Sequence, residues 1–294
     1  MTTDINFGGN GISNIAAATA AGEAVRFEQV FGTGSTLTIS SGSITPTQGF
    51  HLVGTEGGAA EDDLDTIATT NVQDGGVVHL QAASGKTIYV TRNGNVQQNA
   101  LLPDDRPLTF LRSGTDFVLL AGGWVRIGAV EASNDAFATF DNLIDASTDT
   151  YLVRFAGVRP ANDDTKLYAE LKNSSGWVTS SYRFATARNN EPTPDFSAGG
   201  VSSGSNGFIR LQGSGTDNQT NTSLNGWLEF YNPADSGRFT TFTSQTMNMN
   251  NNGQTQTNVA SGYLDTAEVN DGIRFYFDSG NIAVGSVTLY AWYG

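Results

Sequence analysis

Apolar and polar positions alternate through residues 270–294 in a way that predicts a β-hairpin. Residues 273–278 read Ile-Arg-Phe-Tyr-Phe-Asp, a period of two that is typical of a half-buried strand. Residues 278–281, Asp-Ser-Gly-Asn, supply the small and Asx side chains that favour a chain reversal. Alternation resumes over residues 286–293, where Val, Leu, Ala and Tyr alternate with Ser, Thr, Tyr and Trp. We therefore expect the chain to end inside a sheet.

The same period recurs through residues 124–294. Predicted strands include residues 151–155, 167–171, 228–230 and 239–243. Pro160 and Pro233 end strands, because proline cannot donate a hydrogen bond to a ladder. With the final hairpin we expect about eight to ten strands, which suits a two-sheet β-sandwich of jelly-roll type. The fold class is thus predicted to be all-β.

Residues 44–123 carry shorter β patterns and form a second predicted module. Apolar runs lie at residues 77–80, 87–90, 108–111 and 117–120. Strands this short bury little apolar surface alone. No fixed repeat period emerges, so two arrangements stay open: a solenoid, or chains interleaved about a three-fold axis.

Residues 1–43 contain the single window with helical spacing. Within Ala16–Phe31, apolar residues recur at three- and four-residue intervals, and Gly32 is a plausible stop. A helix this short is marginal in water and needs packing partners. Either an ordinary N-terminal loop and helix or a segment for attachment and trimerisation fits this pattern.

Three polar stretches of the C-terminal domain predict long loops, at residues 188–206, 213–224 and 246–262. Loops of this length in a compact domain are often functional. Trp177, Tyr182, Trp227 and Tyr231 offer flat faces that suit sugar rings, although core packing is the alternative for each. The candidate glycan- or receptor-binding residues are Trp177, Tyr182, Asn248, Asn250, Asn251, Asn252 and Gln254.

Composition narrows the function classes. The formal net charge is −14, which argues against a nucleic-acid or anionic-membrane surface as partner. The chain has no Cys, which excludes disulfides and thiolate metal sites. No run approaches the ~18 apolar residues that a membrane span needs, and residues 1–4 do not resemble the start of a secretory signal.

Candidate catalytic groups are few. Neither His51 nor His79 lies near a nucleophile motif, so no Ser-His-Asp triad is predicted. Acidic groups at residues 61–63, 104–105 and 163–164 could supply an acid and a base for glycan hydrolysis. Adjacent carboxylates in a strand or loop point apart and are solvated. We therefore predict no catalytic residue, metal ligand or cofactor, and keep hydrolysis as an alternative.

Several short motifs, in order, give the chain a family resemblance. Residues 273–290 (IRFYFDSGNIAVGSVTLY), 155–160 (FAGVRP) and 231–233 (YNP) resemble a sandwich domain common in bacteriophage virion fibres and tail-tip proteins. Residues 5–25 (INFGGNGISNIAAATAAGEAV) resemble a fibre segment that precedes a new trimeric module. Residues 61–67 resemble a module found beside such sandwiches.

The resemblance implies a non-enzymatic structural protein of the virion of a tailed phage. It implies a homotrimeric fibre, tail-tip or spike subunit whose N-terminal segment docks on other virion proteins. The C-terminal sandwich would then face a glycan or protein of the host surface. Two alternatives remain: a capsule-degrading tailspike hydrolase, and a purely architectural capsid or tail decoration protein.

Overall fold

A computed structural model describes residues 35–191 and 193–293, and for residues 193–205 it describes the backbone. These residues form two compact units. One contains residues up to 98 together with 102–120, and the other contains 99–101 together with 121–294. Helical structure among the described residues is limited to a short 3-10 turn, Glu56–Gly58. The all-β prediction is therefore confirmed for this part of the chain. The predicted helix Ala16–Phe31 lies outside the described residues.

The first unit is built from short strands. In chain order the strands of residues 35–120 are β1 Ser35–Thr38, β2 Ser43–Ile44, β3 Phe50–Gly54, β4 Glu61–Leu64, β5 Thr66–Ile67, β6 Val77–Ala82, β7 Thr87–Val90, β8 Ala100–Leu102, β9 Leu108–Ser113 and β10 Asp116–Leu119, and residues 100–101 of β8 belong to the second unit. All four apolar runs predicted as strands in this region lie on β6, β7, β9 and β10, with a one-residue shift at the end of β10.

Parallel pairing makes the first unit a short β-solenoid. β1, β3 and β6 stack in parallel, as do β2 with β5 and β4 with β7. The antiparallel strands β9 and β10 then extend the first of these sheets. Ser35 pairs with His51, 16 residues on (51 − 35), whereas Phe50 pairs with His79, 29 residues on (79 − 50). Such unequal turns explain why the sequence shows no fixed period.

The second unit contains longer strands. They are β11 Gly123–Asp135, β12 Ala138–Phe140, β13 Thr150–Pro160, β14 Leu167–Asn173, β15 Gly176–Trp177, β16 Tyr182–Asn190, β17 Thr193–Asn206, β18 Ile209–Arg210, β19 Leu224–Tyr231, β20 Thr241–Met249, β21 Thr255–Leu264, β22 Asn270–Phe277 and β23 Ile282–Tyr293. The final hairpin is thus β22 and β23, as the alternation predicts.

Two sheets share the core of the second unit. The large sheet has the strand order β11-β23-β13-β19-β20-β21-β16-β17, and the small sheet has the order β12-β22-β14-β15, with β18 beside β14. Their buried faces meet where Phe155 of the large sheet packs edge-on against Phe275 of the small sheet, at 5.1 Å between ring centroids. Both rings are almost fully buried, so the two sheets enclose an apolar core.

Two of the three predicted loops are wrong. Residues 188–206 belong mostly to the hairpin of β16 and β17, and residues 246–262 to the hairpin of β20 and β21. The period of two is present in β20 and β21, but between Phe242 and Ala260 the inward positions are polar: Ser244, Thr246, Asn248, Gln256 and Asn258 are all buried. Apolar alternation therefore predicts only the first residues of β20, within residues 239–243, and misses the rest of the hairpin. The predicted loop at residues 213–224 does connect β18 to β19.

Candidate binding site

The outer face of the small sheet is organised around Arg274 on β22. Arg274 lies opposite Glu170 of β14 in the ladder, and opposite Thr139 of β12 on the other side. Its guanidinium carbon sits 4.4 Å from the ring centroids of both Phe137 and Trp177. Two cation–π contacts at this distance hold both the cation and the rings in place.

Glu170 completes a cluster with Arg274, Phe137 and Trp177. It is 5% exposed, and it accepts hydrogen bonds from Arg274 Nε at 2.8 Å and from the Tyr276 hydroxyl at 2.5 Å. A buried carboxylate needs such partners to keep its charge. Burial, and next the hydrogen bond to Glu170, raise the pKa of Tyr276 above its usual range. The phenol therefore stays a hydrogen-bond donor at neutral pH.

Further aromatic rings stiffen the same face. Tyr168 of β14 stacks on Phe208 with ring centroids 4.0 Å apart and an interplanar angle of 6°. Tyr276 packs edge-on against Phe137 and Tyr168. Contacts of this kind contribute about 0.5–1.5 kcal/mol each beyond area burial. Trp177 therefore stands on a rigid support.

A cleft of about 260 Å³ opens beside Trp177. The residues around it that carry polar groups or the aromatic face are Asn173, Ser175, Trp177, Thr179, Ser180, Ser181, Thr266 and Glu268. Asn173 Nδ2 donates to Glu268 Oε2 at 2.8 Å, and Asn173 Oδ1 accepts from the backbone N–H of Ser175 at 2.8 Å. The other oxygen of Glu268 accepts no hydrogen bond from a described residue.

This set of groups suits a hydroxyl-rich ligand. An aromatic ring can cover the apolar face of a sugar, while a carboxylate, an amide and hydroxyls exchange hydrogen bonds with its rim. Sites for small molecules usually enclose about 300–1,000 Å³. A cleft slightly below that range fits one ring or the end of a chain, and we expect weak affinity per site.

Among the predicted site residues, Trp177 lines this cleft and is half-buried. Tyr182 is fully buried, and its hydroxyl oxygen accepts a hydrogen bond from the backbone N–H of Leu171 at 2.8 Å. Burial raises the pKa of Tyr182. Its ring belongs to the core and presents no face to a ligand, and its hydroxyl links β16 to β14.

The remaining predicted residues lie at the turn between β20 and β21. Asn248 and Asn250 are buried, Asn251 and Asn252 are exposed, and Gln254 is half-buried. The Asn250 side chain is occupied within the turn, since its Oδ1 accepts from the N–H groups of Asn252 and Gln254, both at 3.0 Å. Only the two exposed asparagines offer unhindered amides at this tip.

The Trp177 cleft and the turn between β20 and β21 lie at opposite ends of the large sheet's β16 strand. Tyr182 pairs with Leu264 at the cleft end of β16, whereas Asn190 pairs with Gln256 at the other end, beside the turn. Eight residue steps of ~3.4 Å place the two ends about 27 Å apart. The cleft and the hairpin tip are therefore distinct places, not one site.

The sequence interpretation missed the groups that complete the cleft. Arg274 could have been found, because it lies at an outward position of β22, the first alternating strand of the final hairpin. Glu268 follows β21 in a short connection and carries no motif. Only the tertiary fold brings it to Asn173, 95 residues away in the chain.

The other chemical candidates lie elsewhere. Asp104, Asp105, Asp163 and Asp164 are exposed. Within residues 35–191 and 193–293 no group of three or more acidic or histidine side chains is arranged to hold a metal ion. The same residues include no helix long and apolar enough to cross a membrane.

No protein-family profile, curated protein or solved structure matches this chain.

Proposed function

We propose that this chain is a non-enzymatic structural protein of a tailed-phage virion, a homotrimeric fibre or spike subunit. Its N-terminal segment, residues 1–43, would attach to other virion proteins. Its C-terminal unit, a jelly-roll-like sandwich, would recognise a glycan of the host surface. The motifs at residues 155–160, 231–233 and 273–290 support this assignment by their resemblance to virion sandwich domains.

One observation carries the binding role: Trp177 lies beside the Asn173–Glu268 pair in an open cleft. The ring has a fixed position because Arg274 holds it. A fixed ring and a fixed polar pair need little reordering when a ligand binds, which lowers the cost of binding. Three weak sites on one particle protein would then act together through high effective concentration.

The test is titration of the purified chain with oligosaccharides released from candidate host surfaces, followed by calorimetry. Glu268→Gln keeps the side-chain shape and an acceptor for Asn173, and we expect it to weaken binding about tenfold, through loss of a charge-assisted hydrogen bond. Trp177→Ala should abolish binding. Thermal unfolding of both variants checks that the sandwich persists, and Gln73→Ala, at an exposed position in the first unit, is the matched control.

The same titration separates the alternatives. Release of shorter glycans over time would identify a tailspike hydrolase instead of a binding protein. A chain that binds no glycan from any host surface, yet assembles into particles, would identify an architectural decoration protein. Equal binding by the wild type and Trp177→Ala would remove the cleft from the proposal.

A further inference from the structure

The outer face of the large sheet is rich in aromatic and arginine side chains. Strands β13 and β23 turn Tyr151, Val153, Leu289 and Ala291 into the core, and these residues are at most 1% exposed. The intervening positions therefore point away from the small sheet. We define the large outer face by outward residues of β11, β23, β13 and β19–β21: Trp124, Arg126, Glu131, Arg154, Trp227, Gln245, Met247, Val259, Tyr290 and Trp292.

Cross-strand pairing assembles these side chains into one surface. Trp124 lies opposite Trp292, and their rings meet edge-on at 5.3 Å and 69°. Arg126 lies opposite Tyr290. Arg154, on the next strand, lies opposite Trp227. The surface is thus continuous from β11 through β23 and β13 to β19.

Much of this apolar surface faces solvent in the single chain. Trp292 is 43% exposed and Trp124 38% exposed, and Met247 and Val259 extend the face over β20 and β21 at 50% and 36%. These four are half of the eight exposed large apolar side chains among the described residues of the second unit. Soluble monomers rarely expose contiguous apolar patches of this kind, and such patches mark interaction sites.

The composition is that of a protein interface. Aromatic residues, Met and Arg are enriched at the centres of interfaces, and Lys and Asp are depleted. All three lysines, Lys86, Lys166 and Lys172, lie on other elements. From β11 to β16 the face spans six strand gaps of ~4.8 Å, about 29 Å. A standard interface of ~800 Å² per partner is roughly 32 Å across.

Two features favour a second copy of this chain over a glycan. The Trp124 and Trp292 rings stand at 69° to each other, so they form no flat platform for a sugar chain. The face also carries both charge signs: Arg126, Arg154 and Glu131 are exposed and form no ion pair with a described residue. When two copies of the chain meet through this face, Arg126 and Arg154 of one copy can pair with Glu131 of the other. An acidic glycan would instead be repelled by Glu131.

We propose that the large outer face is the surface through which copies of this chain associate. This rests on the proposed homo-oligomeric virion protein and names the surface that would hold it together. Around a closed rotation axis each copy would bury the same Trp124–Trp292 corner against its neighbour. The Trp177 cleft, on the outer face of the other sheet, would stay accessible.

The experiment measures the mass of the purified chain alone by light scattering over a concentration series. The expected wild-type mass is a small multiple of 31.0 kDa. Met247→Glu and Trp292→Glu should shift it to one chain. Val269→Glu is the matched control, because Val269 is 51% exposed but lies off this face, and its mass should equal that of the wild type.

A second measurement shows whether the glutamate variants dissociate because the interface is lost or because the fold is destabilised. The chain has no Cys, so a single introduced cysteine reports proximity. Gln245→Cys, on this face, should give linked chains with a short bis-maleimide, and Thr139→Cys, on the small sheet, should not. A wild type that is monomeric at micromolar concentration, or glutamate variants that keep the wild-type mass, would overturn the proposal.

These outcomes are separate from those for glycan binding. If the proposed interface is wrong, the cleft variants still decide whether the chain binds glycan. If the cleft is wrong, the mass measurements still decide which face joins the copies. Loss of glycan binding in Trp292→Glu with unchanged mass would also overturn the interface and assign this face to a ligand.

Discussion

The side-chain amide of Asn258 donates a hydrogen bond of 2.8 Å to the amide oxygen of Asn248 across the β20–β21 hairpin. Both residues are buried. Asn258 Oδ1 in turn accepts from the N–H of Gly213 at 2.9 Å, and Asn248 Nδ2 donates to the carbonyl of Gly215 at 3.0 Å. Two asparagines thereby fix the 211–223 connection to the inner face of the sheet.

Asn258→Leu should therefore destabilise the second unit although it adds apolar volume. It leaves the Gly213 N–H and the Asn248 oxygen buried without these partners, which costs about 1–3 kcal/mol for each group. Urea unfolding followed by tryptophan fluorescence measures the change. Asn251→Leu, at the exposed tip of the same hairpin, should change the free energy of unfolding by less than ~0.5 kcal/mol. Equal effects of the two substitutions would contradict the role of the amide pair.

Arg274→Met should leave Glu170 as an uncompensated buried charge, at a cost of about 3–5 kcal/mol near neutral pH. Urea unfolding near neutral pH, compared with the wild type, measures this cost.

The double variant Glu170→Gln with Arg274→Met is the control for that cluster. It should recover part of the lost stability at neutral pH, since no buried charge remains. A double variant no more stable than Arg274→Met would show that the ion pair is not what holds this face.

His51 should titrate below the usual histidine range. It is fully buried in the solenoid, its Nε2 accepts from the N–H groups of Thr47 and Gln48, and its Nδ1 contacts Ser35. Burial lowers the pKa of His51 despite the backbone hydrogen bonds that oppose it. With only two histidines, NMR titration can resolve it from His79.

The sign of the pH effect follows from linkage. In the unfolded chain His51 has the ordinary histidine pKa of ~6.5, which is higher than its pKa in the folded protein. The stability that depends on neutral His51 is therefore complete above pH 6.5, and it is lost as the pH falls towards the folded pKa. Unfolding of the solenoid should become easier over that interval. A His51 resonance that titrates at or above pH 6.5 would contradict this environment.

Gly285→Ala should be strongly destabilising. Gly285 has φ +129°, and a Cβ there would lie 2.5 Å from the Cα of Val158 on the neighbouring strand. Backbone strain alone costs about 1–3 kcal/mol, and the close approach adds to it. Gly122→Ala is the matched control, because no atom lies within 4 Å of its added Cβ. Thermal unfolding of the two variants should differ by several degrees.

Individual elements show which parts of the fold can be predicted from the sequence. The final hairpin is predictable because each strand has apolar residues on one face and a turn motif between. Most of the β20–β21 hairpin is not, because between Phe242 and Ala260 its inward residues are polar and buried amides hydrogen-bond there. The solenoid is hidden because its turns differ in length, so parallel pairing leaves no repeat in the sequence.

The candidate site divides in the same way. Trp177 is recognisable as an aromatic ring near a turn, whereas Tyr182, five residues later, looks equivalent in sequence and is buried in the fold. Glu268 reaches Asn173 only because β22, which it precedes, pairs with β14. A ring and its polar partners from distant strands cannot be grouped by spacing along the chain.

By itself, the sequence determined that this protein is built from β-strands, where many of them begin and end, and which residues of the last hairpin face inward. These features depend on local alternation and turn chemistry, which neighbouring residues fix. Tertiary structure alone decided which polar residues are buried, which aromatic rings stay open, and that the predicted binding residues fall at two separate places. Those outcomes depend on pairing between strands far apart in the chain, where register and sheet order decide what each side chain meets.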